Sequence, residues 1–263
     1  MSLKIERKVE EGLTQVVRPR RGQLRFLSFS LLLLSQGGFE LAKLGEERVL
    51  LLMRGQCQVR VGDQRFGPLA RSNIFEERAT AVYVPTDSPC HVEADRETEI
   101  AVISAPAEMR SQPKLVLPAD IVVRRVGMSN WFREVHDIVG SRINAQRLLV
   151  GETFNPPGNW SGFPPHRHER NDPPQGSSQE EIYHFRLNPP SGLGLQLIYT
   201  DDGEVDEPIV VRNSDTVVIP RGYHPVVAAP GYSLYYLWAL AGESRQLFTH
   251  EDPAHSWIRG NQA

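Results

Sequence analysis

Short apolar segments separated by turn-forming residues recur along almost the whole chain. They are rich in Val, Ile, Leu and Tyr, and Gly, Pro, Asn and Asp punctuate them at spacings typical of a β-sandwich or β-barrel. Gly62 and Gly203, each beside an aspartate, suit tight hairpin turns that need a positive φ. The pattern therefore predicts an all-β protein. The clearest predicted strands span residues 29–34, 48–53, 56–61, 81–84, 100–103, 193–199, 209–212, 216–219 and 233–240.

Helix signals are scarce. The best candidate covers residues 130–139, where apolar residues fall on one helical face and a polar residue precedes them as a cap. Upstream of it, residues 111–118 contain two prolines and are typical of a linker. We therefore divide the chain into a predicted domain of residues 1–115 and a predicted domain of residues 116–263.

The two predicted domains share a faint sequence echo. An apolar strand that ends in Pro85 precedes His91, and a similar strand that ends in Pro220 precedes His224. A duplicated barrel explains such a repeat, although two short matches can also arise by chance. The first domain has no H-x-H sequence, and His91 follows its proline at a different spacing. We expect it to be a scaffold or dimerisation barrel without a metal.

Composition and charge exclude several classes of protein. The 263 residues carry a formal net charge of −3, which gives no basic surface of the kind that nucleic-acid binders use. The apolar run 29–34 is far shorter than the roughly 20 residues of a membrane span, and the N-terminus lacks the apolar core of a signal peptide. Cys57 and Cys90 form neither a disulfide framework nor a C-x-x-C motif. We expect a cytoplasmic protein without nucleic-acid or membrane partners.

A candidate metal-ligand pattern lies in the second half of the chain. His166 and His168 form an H-x-H sequence, which on a strand places both imidazoles on one face. Glu180 and Glu181 open a later apolar run, and His224 closes a P-x-G-x-H sequence after another strand. Imidazoles with one carboxylate are compatible with a catalytic zinc, manganese, iron or nickel ion that keeps a position open for substrate. An isolated H-x-H is more often a chance pair of surface histidines, so the ordered set carries the prediction.

The order H-x-H, then E, then P-x-G-x-H resembles the two-part motif of the cupin superfamily. The resemblance implies an all-β bicupin of two tandem, jelly-roll-like cupin barrels with little helix, whose second barrel holds the ligands. It also favours Glu181 over Glu180, because Glu181 stands directly before an apolar and an aromatic residue. The spacing from His168 to Glu181 is wider than in that motif. Residues 169–179 are therefore predicted to be an inserted loop, either a lid over the site or a solvated loop.

Longer motifs of the chain are shared with a known family. They include Gly151-Glu152-Thr153-Phe154-Asn155-Pro156-Pro157-Gly158-Asn159-Trp160-Ser161, Pro164-Pro165-His166-Arg167-His168-Glu169, Glu181-Ile182-Tyr183-His184-Phe185-Arg186, Pro220-Arg221-Gly222-Tyr223-His224-Pro225 and Asp252-Pro253-Ala254-His255-Ser256-Trp257. In these motifs the chain resembles the 5-deoxy-glucuronate isomerase family of bacterial inositol breakdown. The related 4-deoxy-5-ketouronate isomerases of pectin breakdown share the two-barrel plan. The resemblance is strong over residues 150–258 and looser in the first half.

This resemblance implies metal ligands at His166, His168, Glu181 and His224, with zinc as the metal of the related pectin enzymes. The implied enzyme is an intramolecular oxidoreductase, an aldose–ketose isomerase that converts 5-deoxy-D-glucuronate to 2-deoxy-5-keto-D-gluconate in myo-inositol catabolism. The reaction passes through an enediolate, so a divalent metal would stabilise the oxyanion and a general base must lie within hydrogen-bond reach. The candidates for that base are Glu180, Tyr183, His184 and Tyr232.

The carboxylate of the expected sugar-acid substrate requires an arginine or lysine partner. Arg167, Arg186 and Arg221 lie near the motifs, but each is more typical of a surface residue. Two rival hypotheses stay open at this point: a metal-dependent cupin dioxygenase, which would consume oxygen, and a non-enzymatic sugar-binding cupin. A homo-oligomer is expected by analogy with other cupin barrels.

Overall fold

Strands form almost all of the regular structure in the computed structural model, which describes residues 2–19, 24–42, 45–169 and 178–260. In the first half they are β1 (Lys4–Ile5), β2 (Gly12–Val17), β3 (Ser28–Leu34), β4 (Gly37–Leu41), β5 (Glu46–Val61), β6 (Gln64–Arg71), β7 (Ala81–Val84), β8 (Cys90–Ala94), β9 (Thr98–Pro106), β10 (Lys114–Val116) and β11 (Val122–Val126). In the second half they are β12 (Arg133–Val139), β13 (Leu149–Asn155), β14 (Trp160–Ser161), β15 (His166–Arg167), β16 (Gln179–Asn188), β17 (Gly194–Tyr199), β18 (Asp206–Val211), β19 (Thr216–Ile219), β20 (Val226–Ala228), β21 (Ser233–Gly242) and β22 (His250–Glu251).

The helices of the described residues are short. They are the 3-10 turns Ser129–Trp131 and Pro253–His255 and the α-helix α1 (Trp257–Gly260). Within the described ranges no helix has the length and apolar character needed to cross a bilayer.

The predicted all-β architecture is confirmed. The observed strand bounds can be compared with the segments that the apolar pattern predicted. The segments predicted at 48–53 and 56–61 are two parts of one long strand, β5, which continues through Gly55 at a φ of 107°. Gly62 then has a φ of 56° in the predicted hairpin turn between β5 and β6. The pattern therefore found the strand but divided it at a glycine.

The helix predicted over residues 130–139 is wrong. Ser129–Trp131 forms a single 3-10 turn, and the chain then enters β12, which lies between β11 and β13 in a sheet. Val135 and Val139 are β-branched, so they lose side-chain freedom in a helix but pack well on a sheet. Neighbouring strands on both sides supply the backbone hydrogen bonds. This pairing outweighs a weak apolar periodicity.

The chain forms two compact units, and neither is contiguous in sequence. The first consists of residues 1–6, 123–136 and 152–263, and the second consists of residues 7–122 and 137–151. The N-terminal strand β1 therefore belongs with the C-terminal part of the chain, where Lys4 pairs with Val217 of β19. The domain limits 1–115 and 116–263, the homo-oligomer and the cytoplasmic location stay predictions.

The strands that position the candidate site lie in a seven-stranded sheet with the order β1-β19-β16-β21-β13-β12-β11. Its central strands, β16 and β21, are antiparallel neighbours along the whole of β16. Glu181 lies opposite Leu240 and Tyr183 lies opposite Trp238. Because opposite residues project to the same face, these four side chains share one side of the sheet. A four-stranded sheet, β14-β20-β17-β18, and the pair β15-β22 are formed by other strands of the first unit.

The second unit is built on a nine-stranded sheet with the path β10-β7-β5-β9-β3-β2 and with β4, β6 and β8 paired off that path. Leu and Val side chains from these strands form a core in which both free cysteines, Cys57 and Cys90, are buried. Burial raises the pKa of each thiol to about 12, so both thiols stay protonated at neutral pH. His91 is only partly buried, and its ring nitrogens contact Glu40 and Glu93.

A buried carboxylate ties two parts of the second unit together. Glu47 accepts hydrogen bonds from the backbone N–H groups of residues 146–148, at 2.6–2.8 Å. The Tyr83 hydroxyl donates a fourth hydrogen bond to Glu47 at 2.8 Å. Glu47 has no exposed surface, so these four donors replace the water that its charge would otherwise require.

We expect Glu47→Gln to lower the free energy of unfolding by about 2–4 kcal/mol, because the amide loses the charge and turns its own donor toward other donors. Tyr83→Phe removes one donor of the four and is the matched control, with an expected loss of about 1 kcal/mol. Urea unfolding followed by tryptophan fluorescence measures both variants. Equal losses for the two variants would contradict this role of the carboxylate.

Candidate metal centre

Two imidazoles and one carboxylate converge inside the first unit. One ligand atom each from His168, Glu181 and His224 lie within 4.8 Å of one another, and all three side chains are buried. Glu181 Oε2 is 3.1 Å from His168 Nε2 and 3.2 Å from His224 Nε2. Nitrogen and oxygen donors at this spacing, away from water, suit a divalent transition metal.

Strand pairing and one glycine turn bring His224 to Glu181. The two strands β16 and β19 are antiparallel neighbours, and Glu181 lies opposite Ile219, the last residue of β19. The chain then turns at Gly222, whose φ is 96°. Any side chain at that position would be strained, and its Cβ would lie 2.6 Å from the Tyr199 carbonyl oxygen. The P-x-G-x-H sequence therefore needs its glycine to direct the histidine inward.

Backbone carbonyls fix the tautomers of both imidazoles. His168 Nδ1 donates to the Gln179 carbonyl at 2.9 Å, and His224 Nδ1 donates to the Gly222 carbonyl at 2.8 Å. In the neutral rings the lone pair is then on Nε2, the atom that faces Glu181. Two nitrogen lone pairs and a carboxylate oxygen thus point at one another. Such an arrangement requires a proton or a cation between them.

A proton alone satisfies only part of this cluster. Burial raises the pKa of Glu181, but the imidazoles outweigh it and hold the pKa at about 2. Burial lowers the pKa of His168, and the Glu181 carboxylate outweighs it and raises that pKa above its ordinary value. His224 Nε2 is buried and makes no hydrogen bond to any described residue. A shared divalent cation would occupy both nitrogens, whereas a single ion pair occupies one.

His166 lies beside this trio. Its ring centroid is 4.9 Å from that of His224 and 6.2 Å from that of His168. Burial, and then the neighbouring His224, His168 and Arg133 side chains, hold the pKa of His166 well below its ordinary value. The ring is therefore neutral, with a lone pair free for a metal. The structure brings three of the four sequence-predicted ligands together, and the fourth, His166, lies beside them with its ring next to that of His224.

A cavity of about 270 Å³ opens onto these groups, and His166, His168 and Glu181 form part of its wall. Among the four candidates for the general base, Tyr183 also lines it. Its hydroxyl is close to a second tyrosine, Tyr236, with the two ring centroids 4.2 Å apart. Burial, and then the charge of Glu181, raise the pKa of Tyr183 well above its ordinary value. Tyr183 is therefore a neutral phenol that can donate a hydrogen bond.

The other three candidates lie elsewhere in the first unit. Glu180 neighbours Glu181 on the opposite face of β16, as strand alternation requires. His184 projects to that same opposite face, where it is fully buried and lies 2.6 Å from Arg186 Nη1 through its Nε2. Tyr232 precedes β21 in a turn. None of the three is among the described residues that line the cavity.

The base of the predicted inserted loop is ordered by backbone pairing. Glu169 and Ser178 form an isolated antiparallel bridge, and the Gln179 N–H donates to the His168 carbonyl at 2.7 Å. The inserted loop therefore begins and ends at two residues, His168 and Gln179, that are hydrogen-bonded neighbours in the structure. Residues 170–177, and with them the possible lid, lie outside the described residues.

Among the side chains of the cavity wall that sequence reasoning missed are Arg133, Tyr236 and Glu251. Arg133 lies in the segment that was predicted to be a helix. It belongs to β12, in which every second residue faces the cavity, and this strand alternation was the signal that sequence reasoning overlooked. Glu251 is in β22, which pairs with β15 so that Glu251 lies opposite His166. A two-residue strand in a polar tail leaves no periodic signal in the sequence.

The comparisons with known proteins agree along nearly the whole chain. The model of the KduI/IolB family matches residues 3–258. The 5-deoxy-glucuronate isomerase of Geobacillus kaustophilus strain HTA426 is 37% identical over 252 residues, which cover 95% of this chain and 91% of that protein. The protein of the same name from Bacillus subtilis strain 168 is 33% identical over 250 residues, which cover 94% and 92% of the two chains.

Solved structures show the same fold. An IolB-like protein from Salmonella typhimurium LT2 superposes with a TM-score of 0.94 at 33% identity, covering 98% of this chain and 100% of that one. The oxalate decarboxylase of Lactobacillus farciminis has a TM-score of 0.69 at 12% identity, covering 99% and 91%. The second similarity is one of fold alone. Together with the sheets described above, it confirms the bicupin architecture.

We expect the purified protein to contain about one equivalent of divalent metal per chain, and His224→Ala and Glu181→Gln to lose most of it, because each removes a buried donor. Inductively coupled plasma mass spectrometry measures the content. Glu180→Gln is the matched control, since it makes the same chemical change one residue away on the other face of the strand. A Glu181→Gln protein with full metal content would exclude this cluster as the site.

Proposed function

This chain belongs to the KduI/IolB family, and we propose that it is a 5-deoxy-glucuronate isomerase, an aldose–ketose isomerase that forms 2-deoxy-5-keto-gluconate in myo-inositol catabolism. Relatives of that name match it over nearly their whole length. The observation that carries the proposal is the buried trio of His168, Glu181 and His224 beside a cavity large enough for a small sugar acid. The relatives do not favour the dioxygenase or the non-enzymatic hypothesis.

We propose that His168, Glu181 and His224, together with His166, hold one divalent cation. The tautomers support this, because both buried Nε2 atoms present lone pairs to a carboxylate. Imidazole and carboxylate donors fit zinc, and they also fit manganese, iron or nickel. When bound, such an ion supplies positive charge that stabilises the developing oxyanion of an enediolate.

We assign the proton steps to two side chains of the cavity wall. Tyr183, as a neutral phenol, donates a hydrogen bond to the sugar oxygen on which negative charge develops. Glu181 is committed to the cluster, so Glu251 is the remaining carboxylate among the described lining residues that can accept a proton from carbon. Glu251 is held in place by Arg259, whose Nε donates to it at 2.9 Å. Both assignments rest on position in the cavity.

Oxygen dependence separates the isomerase from its enzymatic rival. We expect full conversion of 5-deoxy-glucuronate under strict anaerobiosis and no oxygen uptake in air, because the reaction only moves hydrogen within the substrate. Removal of the metal with a chelator should abolish turnover, and re-addition of a divalent ion should restore it. Product formation is followed by NMR and oxygen by an electrode. Oxygen uptake in step with substrate loss would favour the dioxygenase.

The proton-step assignments predict separate effects on kcat. Tyr183→Phe should lower kcat by about tenfold to a thousandfold with a smaller change in KM, because its hydrogen bond strengthens as charge develops. Glu251→Gln should lower kcat by a similar factor through loss of the base. Tyr232→Phe makes the same change as the first variant outside the cavity and should stay close to wild type. Steady-state kinetics with 5-deoxy-glucuronate measure all three, and an unchanged kcat in either of the first two would remove that residue's assignment.

A further inference from the structure

One buried cation in the wall of the cavity has no counter-charge among the residues that the structure describes. Arg133, in β12, is 8% exposed, and it lines the same cavity as His166, Tyr183 and Tyr236. Arg133 also donates to the carbonyl of Phe163, another residue that lines this cavity. The guanidinium is therefore close to the place where a substrate would lie.

Most of the donors of Arg133 have no partner among the described residues. Its Nη1 donates to the carbonyls of Trp131, at 3.3 Å, and Phe163, at 3.1 Å. Within the described part of the chain, no hydrogen bond is made by its Nε or Nη2 and no carboxylate lies within ion-pair distance. A guanidinium has five N–H donors in a rigid fork, so one nitrogen braces the backbone and the other two are available to a ligand.

A buried charge without a partner destabilises the folded chain. Desolvation lowers the pKa of Arg133, which reports the cost of holding a guanidinium away from water. Proteins normally compensate such a charge with a carboxylate or replace it with an apolar residue. The retained, uncompensated cation in a cavity indicates that the compensating anion comes with the ligand.

The three arginines suggested by the motifs are already neutralised or turned away. Arg167 pairs with Asp201, and Arg221 pairs with Asp202. Arg186 donates to Ser214 Oγ on the other face of β16. None of the three is among the described residues that line the cavity. These arginines are occupied by side-chain partners, whereas the partners of Arg133 among the described residues are two backbone carbonyls.

We propose that Arg133 is the residue that binds the carboxylate of the substrate and so selects sugar acids over neutral sugars. This inference rests on the proposed function for the identity of the sugar, but the carboxylate contact can be tested without turnover. The Nε and Nη2 donors accept a carboxylate in the two-pronged geometry that suits a planar fork. His166, His168 and Glu181 of the candidate metal centre line the same cavity as Arg133. A sugar acid held by its carboxylate at Arg133 can therefore present its other end to the trio.

This contact makes Arg133 a determinant of specificity as well as of affinity. A neutral sugar that entered the cavity would leave the guanidinium without a partner, so the site would reject it. Lysine would keep the charge but lose the fork, and it should recover only part of the selectivity.

Binding of unreactive probes tests the proposal first. The acid obtained by reducing the aldehyde of 5-deoxy-glucuronate to an alcohol keeps the carboxylate but cannot isomerise, and its primary amide is the neutral counterpart. By isothermal titration calorimetry of the metal-loaded protein, the wild type should bind the acid at least about tenfold tighter than the amide. Arg133→Gln should bind the two probes about equally, and Arg133→Lys should lie between. Equal preference for the acid in wild type and Arg133→Gln would overturn the proposal.

Two controls keep the result interpretable. Arg221→Gln removes a half-buried arginine that lies outside the cavity and pairs with Asp202, and it should retain the wild-type preference for the acid. Metal content and melting temperature of Arg133→Gln, measured beside the wild type, show whether the variant is folded. If Arg133→Gln does not fold, Arg133→Lys decides, because a wild-type preference in that variant would contradict recognition by the fork.

Turnover gives a second, separate readout. With 5-deoxy-glucuronate, Arg133→Gln should raise KM by at least about tenfold, as expected for a lost charged hydrogen-bond pair. A wild-type protein that fails to isomerise this sugar at all would contradict the proposed function. The binding experiment would still decide whether Arg133 recognises the carboxylate.

Discussion

The structure depends on holding two imidazole nitrogens against a carboxylate oxygen in a buried position beside a cavity. His168 and His224 each donate through Nδ1 to a backbone carbonyl, so their free lone pairs have no alternative but to face Glu181. Left to themselves, such groups would separate or turn to solvent. The pairing of β16 with β19, and the backbone bonds between His168 and Gln179, prevent both. The sheet thus maintains a local arrangement that a proton satisfies in part and that a divalent cation would satisfy throughout.

The pattern of apolar residues was enough to predict the all-β class, because each strand alternates with turn residues over a short distance, and the motif resemblance supplied the two-barrel plan. It failed between residues 130 and 139, where an apolar spacing fits either a helix or a strand and sheet neighbours decide. The same failure concealed Arg133, since a charged residue in an amphipathic helix is unremarkable, whereas one facing inward from β12 is not. Strand parity and the motif favoured Glu181 over Glu180, and Glu181 is the one that lies with His168 and His224. Alternation along a strand is a local rule that sequence alone can apply.

Long-range placement could not be read from the sequence. Glu251 lines the cavity because its two-residue strand pairs with the strand of His166. So short a strand has no hydrophobic periodicity from which the pairing could be predicted. Tyr183 and His184 are adjacent in the chain, and their side chains are equally plausible candidates for the general base. Only the face of β16 distinguishes the cavity from the other side of the sheet. Closeness to the motif in sequence therefore does not show which side chains share the cavity.

The first few residues of the chain have a consequence for any attempt to isolate the metal-binding half. Lys4 and Ile5 cover one edge of the central sheet by pairing with β19, the strand that leads to His224. A fragment beginning after the linker would leave the backbone of Thr216 and Val217 unpaired along that edge, next to apolar side chains. Bare edges of this kind attract strands from other molecules. Self-association of such a fragment would then reflect a missing N-terminal strand and would say nothing about the natural oligomer.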